Sequence, residues 1–144
     1  MIIIDATNLI VGRFATFAAK QALLGEEIAI VNCEKALITG SKDHILNEYK
    51  RKRSMGTWAT GPFYHRQPDR LVRRMIRGML PHKQEKGKSA YHRIMCYIGV
   101  PVELKEQKAM TLENAQISHV PNLKYIQIQE ISKALGARRI GEEQ

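Results

Sequence analysis

The stretch IIIDATNLIVGRFATFAAKQALLGEEIAIV, residues Ile2–Val31, decides the fold. It opens on Ile2-Ile3-Ile4 and closes on Ile28-Ala29-Ile30-Val31, two apolar runs without alternation. Such runs suit strands covered on both faces, as in a parallel sheet. Asp5, Thr7 and Asn8 follow the first run as turn and capping residues, and Gly12–Leu24 fits a helix. At about 100° per residue, Arg13, Thr16 and Lys20 fall on one narrow stripe. Phe14, Ala15, Phe17, Ala18, Ala19 and Ala22 fill nearly all the rest, so the helix is expected to be largely buried, its alanines close to a sheet. Gly25 ends it as a left-handed cap. Strand, helix and strand over about thirty residues make a βαβ unit with a right-handed crossover.

Further along, Leu37-Ile38 reads as a third strand or its approach. Ser41 or Asp43 can cap a helix starting near Lys42. Its narrow apolar arc (Ile45, Leu46, Tyr49) places it on the surface, and it runs into Lys50-Arg51-Lys52-Arg53. Four consecutive cations exceed what a helix C-terminus needs. Ser54 to Pro68 reads as an extended loop, with Gly56, Gly61 and Pro62 among Trp58, Phe63, Tyr64, His65 and Arg66. Loops of that length are functional or disordered, and aromatics argue against simple disorder. The next helix has Pro68 before it, Asp69 as its cap and Pro81 as its stop. Arg70, Arg73, Arg74 and Arg77 share one face; Leu71, Val72, Met75, Ile76, Met79 and Leu80 share the other. Gly78 lies between the faces, where a missing side chain permits close approach of another backbone. Pro81 to Arg93 is again basic and contains glycine; Ile94–Ile98 reads as a strand closed by Gly99 and Pro101. Thr111–Ala115 suggests a helical turn, Tyr125–Ile128 a short alternation, and Glu130–Leu135 a helix ending at Gly136. The polar tail, Arg138–Gln144, is expected to fray.

A length of 144 residues favours one domain, 1–144, able to bury a core without staples. The 44% apolar and 26% charged content is ordinary for a globular protein. The net charge of +9 and pI near 9.8 are not. Between Tyr49 and Arg93 stand thirteen Lys/Arg against two acids, Asp69 and Glu85, a local net of +11. The rest of the chain is slightly acidic, so the basicity belongs to one segment, 49–93. Such density repels itself unless a polyanion neutralises it.

Several function classes lose ground. No apolar run reaches the length needed to span a bilayer. Met1–Ile4 is short, interrupted by Asp5, and lacks a basic leader or cleavage site, so it does not read as a signal peptide. Cys33 and Cys96 lack framework spacing and read as two buried free thiols in a reducing compartment. His82, His92 and Cys96 lack zinc-site spacing, and no metal is expected. No Gly-rich phosphate loop follows the first strand, although Thr7-Asn8 and Gly12-Arg13 could hold an anion at a helix start. Asp5 at a strand end is open to a catalytic or a turn reading, with no carboxylate partner in sequence. An enzyme on a doubly wound sheet would need a cofactor crevice at the strands' carboxyl ends.

Polyanion binding fits better. Arginine matches phosphate as a bidentate fork, and bases unstacked in folded RNA stack on aromatics and guanidinium planes. The broad aliphatic face of the arginine helix suits a protein core rather than a membrane. Without Asn or Gln to read adenine, that helix suits phosphate and shape more than DNA sequence. The RNA-binding candidates are Lys50, Arg51, Lys52, Arg53, Arg66, Arg70, Arg73, Arg74, Arg77, His82, Lys83, Lys86, Lys88 and Arg93. Trp58, Phe63 and Tyr64 are candidates for stacking or for burial.

Gly78-Met79-Leu80-Pro81-His82-Lys83, preceded by Arg73-Arg74 and Arg77, is similar to the signature of the large-subunit ribosomal protein L-thirteen family. Gly12-Arg13 before the Ala-rich helix, Val31-Asn32-Cys33-Glu34-Lys35 and Ile38-Thr39-Gly40 support the resemblance, which covers residues 1–105. Lacking the longer N-terminal arm of the bacterial form, the chain resembles the archaeal and eukaryotic type. The resemblance implies a three-layer α/β/α domain with a parallel four-stranded sheet. It implies a structural constituent of the large ribosomal subunit, binding its large rRNA and acting in early assembly. It further implies neighbouring ribosomal proteins as partners, a cytoplasmic location, no enzymatic activity, no cofactor and no obligate homo-oligomer. Eukaryotic relatives also repress translation of selected messages.

Overall fold

The computed structural model describes residues 1–121 and 124–137. Its first unit is the expected βαβ motif: β1 (Ile2–Asp5), α1 (Val11–Leu23) and β2 (Ile28–Val31). β1 and β2 run parallel, Ile2 opposite Ile28 and Ile4 opposite Ile30. Every residue of β2 is buried, which is why its sequence shows no alternation. α1 leaves Arg13, Thr16 and Lys20 exposed and buries Phe14, Ala15, Ala18, Ala19 and Ala22. The chain continues through β3 (Leu37–Thr39), α2 (Lys42–Ser54), α3 (Pro68–Gly78), α4 (Glu85–His92), β4 (Ile94–Cys96), β5 (Tyr125–Gln127) and α5 (Ile128–Ala134).

The parallel sheet holds three strands in the order β1-β2-β4 rather than the four expected. β3 leaves it and pairs antiparallel with β5, Ile38 opposite Ile126. The short connection Asn32–Ala36 accounts for this, because a parallel neighbour requires a crossover of about a dozen residues or more. Asn32, at φ 55°, instead opens a 3-10 turn over Cys33–Lys35. β4 closes the sheet, Ile28 opposite Ile94 and Ile30 opposite Cys96. At the outer edge of β1 the parallel pattern continues in a single bridge, Ile4 to Met110.

Both parallel connections step in the same direction across the sheet. Crossovers of one hand that step one way put their helices on one face, and α1 packs there against α3 and α4. Phe14, Ile4, Ile28, Ile30, Val72, Ile76 and Ile94 form the main core. The opposite face carries a smaller cluster, Ile3, Ala29 and Val31, against Tyr97 and Leu104. Leu104 lies in the 3-10 turn Val102–Leu104. The cluster on that face draws no residue from an α-helix, so the layer expected to be helical there is thin. α5 packs elsewhere, on α2, α3 and the turn Cys33–Lys35.

Local details depart from the sequence reading in four places. Pro68 is the first residue of α3, and Asp69 does not cap it: no side-chain cap bond forms, and Asp69 Oδ1 is buried without a partner. Ser41 stands at the start of α2, also without a side-chain cap bond. A Cβ built on Gly78 would meet nothing within 4 Å, so no backbone approaches there. The close approach is at Gly87 in α4, where a Cβ would lie 2.1 Å from the Pro81 carbonyl oxygen. α4 itself was not expected as a helix. The apolar face of α3 otherwise behaves as read, with Leu71, Val72, Ile76 and Leu80 buried, Met75 half-buried and Met79 exposed. The expected frayed tail, Arg138–Gln144, lies outside the described residues. Cys33 and Cys96 are free and buried; the neighbouring Cys96 thiol and burial both push the Cys33 thiol pKa up.

Candidate nucleic-acid interface

α3 is pinned to the core by Leu71, Val72 and Ile76, so its other face is set by helical geometry. On that face Arg70 and Arg77 are exposed, and Arg73 and Arg74 are half-buried. No described carboxylate forms an ion pair with any of the four.

Two of these arginines rest on tyrosines. The Arg73 guanidinium lies 4.4 Å from the Tyr91 ring centre, and its Nη2 donates to the Tyr91 carbonyl at 3.4 Å. Its Nε is buried with no partner. The Arg74 guanidinium lies 3.9 Å from the Tyr64 ring centre, and its Nη1 donates to the Phe63 carbonyl at 2.9 Å. Tyr64 in turn meets Tyr49 edge-on, with ring centres 6.4 Å apart. Lys52 Nζ sits 5.5 Å from the Tyr49 ring centre. Burial, then the neighbouring Tyr64 and Glu48, push the Tyr49 hydroxyl up to about 12. Tyr49 therefore stays neutral and available as a face for cations. Tyr49 and Tyr91 were not singled out as site residues; each sits close in sequence to the cations, and that proximity was the available signal.

The ridge stands between two shallow grooves. One is lined by His65, Arg70, Arg73, Arg74, Arg77 and Tyr91. The other is lined by Tyr49, Lys52, Tyr64, Arg74, Arg77 and His82, among others. Arg74 and Arg77 line both, so the structure gathers the α3 arginines, Lys52 and His82 into one surface.

The remaining candidates are distributed around it. Lys50, Arg51, Lys52 and Arg53 occupy the C-terminal part of α2 rather than following it. Lys52 pairs with Glu48, and Arg51 lines a separate hollow with His44, Asn47 and Glu48. Burial, and then the positive charge of Arg66, pull the Arg53 pKa down, which puts these two cations in one neighbourhood. Arg66 Nη1 donates to the Gly136 carbonyl at 3.4 Å, and the Arg66 carbonyl accepts from Ser132 Oγ at 2.6 Å. Lys83 and Lys86 are exposed, and Lys88 pairs with Glu85 at 3.6 Å. Arg93 stands apart from the ridge, its Nη1 donating to the Ala22 carbonyl at 3.1 Å. It thus gives a second donor to the Ala22 carbonyl at the end of α1, which also accepts from Gly25 N at 3.2 Å. Of the aromatic candidates, Trp58 and Phe63 are exposed at 93% and 66%, while Tyr64 is half-buried.

Asp5 belongs to a turn. Its Oδ1 accepts from Thr7 N at 3.0 Å, Thr7 Oγ1 at 2.7 Å and Asn32 Nδ2 at 3.0 Å. Burial alone would raise its pKa, but these bonds and the charge of Lys35 outweigh it and hold the carboxyl below its ordinary value. The strand order β1-β2-β4 contains no reversal, so these strands make no switch-point crevice for a nucleotide. Among the described residues, no three His, Cys, Asp or Glu side chains gather to hold a metal.

Residues 1–103 match the sequence profile of the family described as Ribosomal protein L13. The chain is 45% identical over 139 residues to the large ribosomal subunit protein uL13 of Methanosarcina barkeri, covering 96% of this chain and 99% of that one. It is 43% identical over 138 residues to uL13 of Methanococcoides burtonii, with the same shares covered. Against uL13 of Haloarcula marismortui the identity is 38% over 138 residues, 96% of this chain and 92% of that one. With the family profile spanning most of its length and archaeal members matching it nearly end to end, this chain belongs to the ribosomal protein L13 family.

Proposed function

We propose that this protein is a structural constituent of the large ribosomal subunit that binds the large rRNA and acts early in subunit assembly. The family is structural and not enzymatic. The observation that carries the RNA reading is the α3 ridge, whose four arginines form no ion pair with a carboxylate of the described residues. A cationic ridge left open in this way is a counterpart for phosphate. Lys52, His82, Lys83 and Lys86 extend it, and Lys50, Arg51, Arg53 and Arg66 flank it. Lys88 adds a further cation, whereas Arg93, its Nη1 engaged by the Ala22 carbonyl, stands apart from the grip. Neighbouring ribosomal proteins are the second class of partner. No described helix is long and apolar enough to cross a membrane, and the expected location is the cytoplasm, within ribosomes.

Sedimentation of cell lysate on a sucrose gradient tests the assignment. The protein is expected with large subunits and their precursors. Recovery only in the free fraction would contradict it.

A further inference from the structure

Trp58 is the chain's single tryptophan, and it is 93% exposed. Large aromatic side chains are highly buried on average, so such exposure calls for an occupant. The ring is not carried on a slack loop. Thr57 and Gly61 form an antiparallel bridge, Gly61 N donates to the Thr57 carbonyl at 3.0 Å, and the Thr57 and Thr60 hydroxyls lie 2.6 Å apart. At Gly56, φ +78°, a Cβ would fall 1.7 Å from the Gly61 carbonyl oxygen. The turn is thus built tight enough to demand glycine, and it holds Trp58 in a fixed place.

Its surroundings select the ligand. No carboxylate lies between Glu48 and Asp69, whereas Lys50, Arg51, Lys52, Arg53 and Arg66 do. The residues beside Trp58, from Ser54 to Thr60, are all exposed; Met55 and, beyond the turn, Phe63 are the other large apolar side chains open in this loop. A protein partner's interface core would be depleted of charge. An exposed π-face among cations and hydroxyls matches an unpaired nucleobase with its phosphates alongside.

We propose that Trp58 is a stacking platform for an unpaired base of the RNA gripped by α3, with the cations at the end of α2 taking the adjacent phosphates. This rests on the RNA-binding reading above and adds that the ligand is single-stranded at this point.

Because Trp58 is the only tryptophan, its emission reports this site alone. Titrating the full chain with deproteinised large-subunit rRNA, and separately with a perfect RNA duplex, follows two signals: Trp58 emission and binding by filter retention. Stacking predicts quenching by rRNA and little change with the duplex. Trp58→Ala should weaken rRNA binding about tenfold without changing the salt slope or duplex binding, and Trp58→Phe should recover most of the loss. Tight rRNA binding with unaltered emission and an unaffected Trp58→Ala variant would overturn the stacking proposal while leaving the phosphate grip standing. Absence of rRNA binding altogether would instead remove the RNA reading. Quenching that appears only when large-subunit proteins are added would assign the ring to a protein neighbour and overturn the proposal.

Discussion

The Arg74 guanidinium lies 3.9 Å from the centre of the Tyr64 ring while its Nη1 donates to the carbonyl of Phe63. One arginine thus fastens the 55–67 loop to α3 while lining both grooves. Arg70 and Arg77 have no such duty.

The arginines should therefore separate by role. Arg74→Ala is expected to cost about 1–2 kcal/mol of stability, from the lost cation–π contact and hydrogen bond, and to weaken RNA binding. Arg70→Ala and Arg77→Ala should weaken RNA binding while changing stability by less than about 0.5 kcal/mol. Urea midpoints measured beside RNA titrations check this. An Arg74→Ala variant as stable as the parent would show that the stack contributes nothing to the fold.

Salt should report the number of phosphates held. If six or more are contacted, the logarithm of affinity should fall against the logarithm of salt with a slope near −4 or steeper, at about −0.7 per contact on single strands. Removing Arg77 should reduce that slope by about 0.7. A flat dependence would contradict a phosphate grip.

Two glycines should respond in opposite directions. Gly87→Ala forces a Cβ to within 2.1 Å of the Pro81 carbonyl oxygen, so a loss of about 1–3 kcal/mol is expected. Gly78→Ala meets nothing within 4 Å and should be neutral or stabilising by up to about 1 kcal/mol. Thermal melts of the two variants distinguish them.

Asp5 should make stability depend on acid. Its folded pKa lies below the ordinary 3.8, so its contribution is fully present above that value and is lost as pH falls through the folded one. Asp5→Asn should be less stable than the parent at neutral pH, with the gap narrowing in acid. A gap that stays constant from pH 7 down to pH 2 would show that the carboxylate charge is not what the turn uses.

Much of this protein is legible in one dimension. The unbroken β-branched runs of β1 and β2 and the polar stripe of α1 announce a βαβ unit because periodicity follows from backbone geometry alone. The split of α3 into an arginine face and an aliphatic face is legible for the same reason. α4 escaped because it is short and buries only Gly87 and Ala90, too little apolar surface to make a period. Asp69 and Ser41 were plausible caps by residue type, yet capping depends on a side-chain geometry that neither adopts.

The residue order by itself determined which segments are strand or helix at the start of the chain, where the positive charge concentrates, and the family signature, since each rests on neighbours within a few residues. Only the tertiary structure decided that Leu37–Thr39 pairs with Tyr125–Gln127, that the helices packed on the sheet share one face, and that Arg73 and Arg74 lie on tyrosines while Arg70 and Arg77 stay open. Those outcomes depend on contacts between residues remote in sequence, and no local period carries information about them.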